Sequence, residues 1–102
     1  MMTRQEYLLV CLAEECGEII YEVGKILRFG LNDTHLDTSK IPNEERLSNE
    51  ITDLIAVVKM LKDEGLNLTS SLSQIARKRD KIEKYAKYSQ ERGILLNFKP
   101  KK

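Results

Sequence analysis

Two pairs of carboxylates are the residues of this chain that could do chemistry. Glu15 and Glu18 lie three residues apart in a segment with helical periodicity. Glu50 and Asp53 repeat that spacing thirty-five positions later. Side chains three or four residues apart share one helix face and can share a ligand. Clustered carboxylates repel one another, and a divalent cation such as Mg²⁺, which takes oxygen ligands and often bridges to phosphate, relieves that repulsion. The two pairs therefore predict a shared metal site.

The second acidic pair keeps the register of the first against the apolar residues. A shift of thirty-five residues carries Leu12 to Leu47 and Val23 to Val58. Both segments therefore carry an apolar stripe, and we expect Glu15, Glu22 and the second pair at the borders of those stripes, with Glu18 slightly beyond. One such pair alone would indicate only a solvated helix face, because acids commonly flank apolar stripes.

The first helix that positions these acids is bounded by residues that begin and end helices. The Thr3-Arg-Gln-Glu6 segment predicts a capping box. Apolar residues then recur at helical spacing as far as Leu27, and Gly30 is expected to end the helix. Residues 30–42 predict a loop with at most one short helical turn. It holds the single histidine, His35, either a surface residue or a substrate contact.

The second and third helices have similar boundary signals. Asn43 is expected to cap the second helix, and Gly65 to end it. The third helix is expected over residues 71–92, with Thr69 or Ser70 as its cap and a glycine directly after it.

Length and composition favour one small helical domain. The chain has 102 residues, of which 41% are hydrophobic and 32% charged. We expect one domain over residues 1–98 and a basic tail at 99–102. The net charge of +1 argues against a nucleic-acid polymer as partner. Cys11 and Cys16 point in different directions on one helix and cannot form a disulfide, and Cys16 is expected in the core.

No leader-like or membrane-length segment is recognisable in the sequence, so we expect a cytoplasmic protein with no membrane partner. The predicted fold is all-α: a bundle of three long antiparallel helices with short terminal and loop helical turns. Three amphipathic helices with few aromatic residues make a thin bundle, so we expect completion by self-association, as a homodimer or a dimer of dimers. Residues 94–98 either pack on the bundle or dock on a partner subunit.

Both acidic segments together resemble the MazG-like, all-α nucleoside triphosphate pyrophosphohydrolase superfamily. The motifs are Leu12-Ala-Glu-Glu-Cys-Gly-Glu18 and Leu47-Ser-Asn-Glu-Ile-Thr-Asp-Leu-Ile55, and the similarity extends over about residues 5–93. The resemblance implies hydrolysis of a nucleoside triphosphate between its α- and β-phosphates, with Mg²⁺ as cofactor or Mn²⁺ in its place. It assigns the metal ligands Glu15, Glu18, Glu50 and Asp53.

Other charged side chains receive supporting roles under this hypothesis. Glu14 is favoured as the general base that accepts a proton from water. Glu22 is expected either to bind the metal or to hydrogen-bond a metal ligand. Lys78, Arg79 and Lys81 are expected to hold the triphosphate, although Arg79 falls in the apolar stripe of the third helix and its stem could instead reach solvent.

Two alternatives stay open at the level of sequence. Thirty-one residues separate Glu18 from Glu50, more than in compact members of the superfamily, which leaves room for a specialised dUTP, dCTP or phosphoribosyl-ATP pyrophosphatase. A non-catalytic helical regulatory or interaction dimer is the alternative of a different class. It predicts that the four acids can be replaced without loss of function. The sequence does not predict the nucleobase or the sugar.

Overall fold

The computed structural model describes residues 1–34 and 40–96, and these residues form three helices and no strand. The helices are α1 (Arg4–Phe29), α2 (Asn43–Asp63) and α3 (Leu72–Glu91). The all-α prediction is confirmed. His35 and the basic tail at 99–102 lie outside the described residues.

The predicted capping box begins α1. The Thr3 hydroxyl accepts a hydrogen bond from the Glu6 amide at 3.1 Å, and the Glu6 carboxylate accepts one from the Thr3 amide at 3.0 Å. These bonds satisfy two amides that the first helical turn leaves without partners. The helix ends at Gly30, as predicted, where the glycine amide donates to the Ile26 carbonyl.

A glycine with positive φ follows both α2 and α3, and each completes a Schellman motif. Gly65 has a φ of 98°, and the next amide, that of Leu66, donates back to the Leu61 carbonyl. Gly93 has a φ of 75°, and the Ile94 amide donates to the Ser89 carbonyl. The left-handed conformation that this motif requires is unfavourable for residues with a Cβ atom, which explains why glycine ends these helices.

The predicted caps of α2 and α3 are wrong by one or two residues. Pro42 is the N-cap of α2, and Asn43 is the first residue of the helix. The Asn43 side chain does not cap α2, because it bonds elsewhere. Ser71, rather than Thr69 or Ser70, caps α3. It forms a capping box with Gln74 that the Ser-x-x-Gln spacing would have predicted.

Asn43 instead holds the two ends of the α1–α2 loop together. Its side-chain amide donates to the Gly30 carbonyl at 3.0 Å, and its backbone amide donates to the Asp33 carbonyl at 2.9 Å. The side chain is fully buried. A buried amide needs such partners, so these bonds fix the exit of α1 against the start of α2.

These contacts make α1 and α2 an antiparallel hairpin. Asn43 joins the end of α1 to the start of α2, and an ion pair of 3.4 Å between Arg4 and Glu64 joins the opposite ends. Between these ends, Leu8 and Leu61 are the buried apolar side chains of the described residues. The hairpin therefore has a small apolar core.

The chain divides into two compact units, of which Met1–Leu68 contains the hairpin and the second begins at Thr69. No residue of α3 is buried, Arg79 is exposed, and Leu72 of its predicted core stripe is 87% exposed. The packing of α3 into a three-helix bundle and the dimer both stay predictions. No helix within residues 1–34 or 40–96 is long and apolar enough to cross a membrane.

Candidate metal centre

The face of α1 that meets α2 carries acids among its apolar residues. Leu8, Glu15 and Glu22 are spaced seven residues apart, which is about two helical turns, so they lie along one line. Leu8 and Glu22 are buried and Glu15 is half-buried. The half-buried Glu15 agrees with the predicted position at the border of the buried stripe, whereas Glu22 is more deeply buried than predicted. They lie in the seam between α1 and α2.

One side of the apolar stripe that is expected to form the core is exposed, while its other side is half-buried or buried. Ile20 is 72% exposed and Leu27 is 82% exposed, and Ile55 of α2 is half exposed. Cys16, predicted to be a core residue, is also exposed on this side of α1. The side of the stripe that carries Ile20 and Leu27 is therefore not covered by α2.

Three carboxylates from both helices converge in the seam. Glu15 comes from α1, while Glu50 and Asp53 come from α2, where they lie three residues apart. One oxygen of each lies within 4.8 Å of the corresponding oxygens of the other two. We call Glu15, Glu50 and Asp53 the acidic trio. It brings together the halves of the two sequence motifs.

The acidic trio fits the requirements of a hard divalent cation. With Mg–O distances of about 2.1 Å, two ligand oxygens are about 3 Å apart when adjacent and about 4.2 Å apart when opposite. The observed upper limit of 4.8 Å is slightly larger than the separation of opposite ligands. In addition, the Oε2 atom of Glu15 is buried and has no hydrogen-bond partner among the described residues. A buried acceptor without a donor is costly, and a cation would satisfy it.

The electrostatics of the trio favour a bound cation. Burial raises the pKa of Glu15, and the negative charges of Asp53, Glu14 and Glu18 raise it further, although a hydrogen bond with Glu50 acts in the opposite direction. Burial also raises the pKa of Glu50, again with Asp53 as the strongest of its charged neighbours. Glu15 and Glu50 are therefore harder to ionise than ordinary glutamates, and a positive charge between them would favour their ionised form.

Two other predicted site residues lie beside the trio. Glu18 is exposed and does not belong to the trio, but its charge raises the pKa of both Glu15 and Glu50, so it lies near them. Glu14 is exposed next to Glu15. Of the four predicted ligands, the structure brings three together and leaves Glu18 at the rim. The exposed position of Glu14 agrees with contact to solvent.

Glu22 has a partner that sequence reasoning missed. Its carboxylate forms a 2.8 Å ion pair with the ammonium of Lys25, and both side chains are about nine-tenths buried. The same ammonium lies 4.8 Å from the centre of the Tyr21 ring. The signal was present in the sequence, because Lys25 lies three residues after Glu22 and continues the line of Glu15 and Glu22 by one turn.

The predicted triphosphate-binding cations lie on α3, in the second unit. Lys78, Arg79 and Lys81 are all exposed. They form no ion pair with any carboxylate in the part of the chain that the structure describes. Their charges are therefore free for an anionic ligand, which is also the ordinary state of surface lysines and arginines.

No protein-family model, curated protein or solved structure matches this chain. The similarity to the pyrophosphohydrolase superfamily therefore stays a prediction from the two acidic motifs.

Proposed function

We propose that this protein is a Mg²⁺-dependent nucleoside triphosphate pyrophosphohydrolase. It would cleave a nucleoside or deoxynucleoside triphosphate between the α- and β-phosphates and release a monophosphate and pyrophosphate. The observation that supports this most directly is the acidic trio, because residues from two sequence motifs meet in one seam within 4.8 Å. Mn²⁺ is expected to replace Mg²⁺, since both prefer oxygen ligands.

In such a reaction, different residues of the chain would bind the metal and accept the proton. Glu15, Glu50 and Asp53 would hold the ion, with Glu18 close enough to complete the set. When bound, Mg²⁺ neutralises phosphate charge, polarises the phosphorus and acidifies water. Glu14 is exposed beside this set and would accept the proton of the attacking water.

Exposed apolar residues on the hairpin support self-association. Ile20 and Leu27 of α1 and Ile51 of α2 are between 41% and 82% exposed. Contiguous apolar surface marks interaction sites in soluble proteins, and Ile20 and Leu27 lie seven residues apart on one face of α1. We propose a homodimer or a dimer of dimers, in which Lys78, Arg79 and Lys81 would steady the triphosphate. Sedimentation over a range of concentrations tests the assembly.

The test of the activity is a set of ribo- and deoxyribonucleoside triphosphates, with dUTP, dCTP and phosphoribosyl-ATP included, incubated with and without Mg²⁺. Monophosphate and pyrophosphate should appear only with the metal. The preferred substrate separates a general enzyme from a specialised one. Release of orthophosphate with a diphosphate product would contradict the proposed cleavage site, and no turnover of any substrate would contradict the activity.

A non-catalytic interaction dimer is the second candidate, and the exposed apolar faces of α1 and α2 favour it. Acidic side chains occur in many helices without a ligand. Under this alternative, the protein would self-associate, Mn²⁺ would not bind, and replacing Glu15 and Glu50 with glutamine would leave the assembly unchanged. Calorimetric titration with Mn²⁺ distinguishes the two candidates, because only the enzyme requires a metal.

A further inference from the structure

Lys25 is the one buried cationic residue among those that the structure describes. It is 8% exposed, and it lies ten residues after Glu15 on the face of α1 that meets α2. Helical side chains lean toward the N-terminus of the helix, so the Lys25 stem is directed back along the seam toward Glu22. The 2.8 Å contact between the two side chains agrees with this direction.

The Lys25 ammonium has more donors than it has partners among the described residues. It carries three N–H groups. Its contacts with described residues are the Glu22 carboxylate and the ring of Tyr21, so at most one donor bonds to a full negative charge. Burying a charge with an incomplete set of partners is costly, and the oxygens of an anionic ligand would supply the missing acceptors.

Position and charge identify the kind of ligand. The charge of Glu22 contributes to raising the pKa of Glu50, so the pair formed by Glu22 and Lys25 lies within electrostatic range of the acidic trio. A cation held on the same face of α1 as a candidate metal site is suited to an anion that is already bound to the metal. Because the Lys25 side chain is desolvated, its interaction with such an anion is stronger than that of an exposed lysine.

We infer that Lys25 contacts a phosphoryl oxygen of a metal-bound triphosphate, and that Glu22 positions the Lys25 ammonium for this contact. The inference rests on the proposed function, because it requires a metal at the acidic trio. It adds a phosphate contact within the hairpin to those proposed on α3. It also gives Glu22 a role other than that of a metal ligand.

The test uses inorganic tripolyphosphate, which has the anionic chain of the substrate and no base or sugar. Calorimetry measures the binding of Mn²⁺ alone and then of tripolyphosphate in the presence of Mn²⁺. For the full chain with Lys25→Met, we expect Mn²⁺ affinity within about threefold of the unmodified protein and tripolyphosphate affinity reduced about 10- to 100-fold. Lys59→Met, which removes an exposed lysine of α2, should change neither value.

Two results would overturn the inference while leaving the proposed function standing. One is that Lys25→Met binds tripolyphosphate as tightly as the unmodified protein does. The other is that it loses Mn²⁺ affinity to the same extent as tripolyphosphate affinity, which would place its effect on the metal. If the unmodified protein binds no Mn²⁺, the proposed function fails first and the inference fails with it.

A second variant covers the possibility that Lys25→Met does not fold, since that change leaves Glu22 charged and unpaired in the seam. Glu22→Gln combined with Lys25→Met removes both charges. Compared with Glu22→Gln alone, the double variant should bind Mn²⁺ equally and tripolyphosphate about tenfold more weakly. Equal tripolyphosphate affinity in these two variants would overturn the inference.

Discussion

Charged residues are abundant in both α1 and α3, but the two helices place them in different environments. In α1, Glu22 and Lys25 are buried and Glu15 is half-buried, whereas no residue of α3 is buried. The difference comes from the second helix of the hairpin, which covers one line of α1. The amino-acid composition of the helices does not predict this difference in burial. The pKa of a charged side chain shifts by desolvation only when a neighbouring element removes it from water.

The comparison also separates two kinds of electrostatic interaction. The cations of α3 are solvated, so salt screens them and their individual contributions to stability or binding are small. Glu15 and Glu50 of the acidic trio are half-buried, and burial, followed by the negative charges around them, raises the pKa of both. The seam is therefore where replacing one charged residue should have large effects.

The largest expected effect follows from replacing Glu50. In Glu50→Gln the size of the side chain is preserved, but one carboxylate of the trio is lost. Mg²⁺-dependent release of pyrophosphate should fall at least about 100-fold, measured as kcat/KM with the best substrate. Calorimetry should show a parallel loss of Mn²⁺ affinity.

The matched control removes a carboxylate from α3. Glu83 is exposed, and Glu83→Gln should change kcat/KM by no more than about twofold, since surface substitutions are usually close to neutral. Equal activities of Glu50→Gln and Glu83→Gln would contradict both the proposed site and the contrast between the two helices.

A smaller effect, on stability, compares the apolar residues of the two units. Leu61 of α2 is fully buried, and Leu61→Ala should lower the free energy of unfolding by about 2–5 kcal/mol. Leu72 of α3 is 87% exposed, and Leu72→Ala should change it by less than about 0.5 kcal/mol. Urea unfolding at low protein concentration measures both. Equal losses would show that the stripe of α3 is covered by another surface.

The sequence predicts helix boundaries well because the responsible interactions are local. The capping box at Thr3 and the stops at Gly30, Gly65 and Gly93 each involve residues within about six positions of one another. The caps at Asn43 and Ser71 were misassigned for different reasons. Ser71 was a missed local motif, whereas the buried Asn43 side chain bonds thirteen residues away to Gly30.

The acidic trio was predictable for a different reason, namely the repeat between the two motifs. A shift of thirty-five residues carries Glu15 to Glu50 and gives α1 and α2 matching faces. An antiparallel hairpin can bring such faces together. Which side of α1 would meet α2 was not predictable from hydrophobicity, because the seam contains Glu22 and Lys25 while Leu27 is exposed. Charged residues that neutralise each other can occupy a position that polarity alone would assign to the surface.

The next largest expected effect is also on the free energy of unfolding, and it concerns the connection between α1 and α2. Asn43→Ala removes the part-buried hydrogen bond to the Gly30 carbonyl and truncates a fully buried side chain, and should cost about 1–3 kcal/mol of unfolding free energy. Asn49 is exposed on the same helix, and Asn49→Ala should be nearly neutral. A neutral result for Asn43→Ala in chemical denaturation would mean that the loop does not depend on this bond.

The smallest expected effect is the pH dependence of the metal-free protein. The pKa values of Glu15 and Glu50 are raised in the folded state above their ordinary values, by burial first and then by neighbouring charges. The folded protein therefore binds more protons than the unfolded chain in the interval between the ordinary and the raised pKa. By linkage, the contribution of these groups to stability is fully present below the ordinary glutamate pKa and is lost as the pH rises through the raised pKa.

Thermal melts in EDTA over the acidic range should show this decrease, superimposed on the general titration of the other carboxylates. Glu15→Gln combined with Glu50→Gln should flatten it, because the variant has no proton to lose at either position. Glu83→Gln should leave the slope unchanged, since Glu83 is exposed on α3.

Added Mn²⁺ should reverse the trend in the unmodified protein, because the metal binds the ionised carboxylates and its affinity rises with pH. The same slope in all three proteins would show that Glu15 and Glu50 do not contribute to the pH dependence of stability. Charges in the seam would then affect stability no differently from charges on the surface.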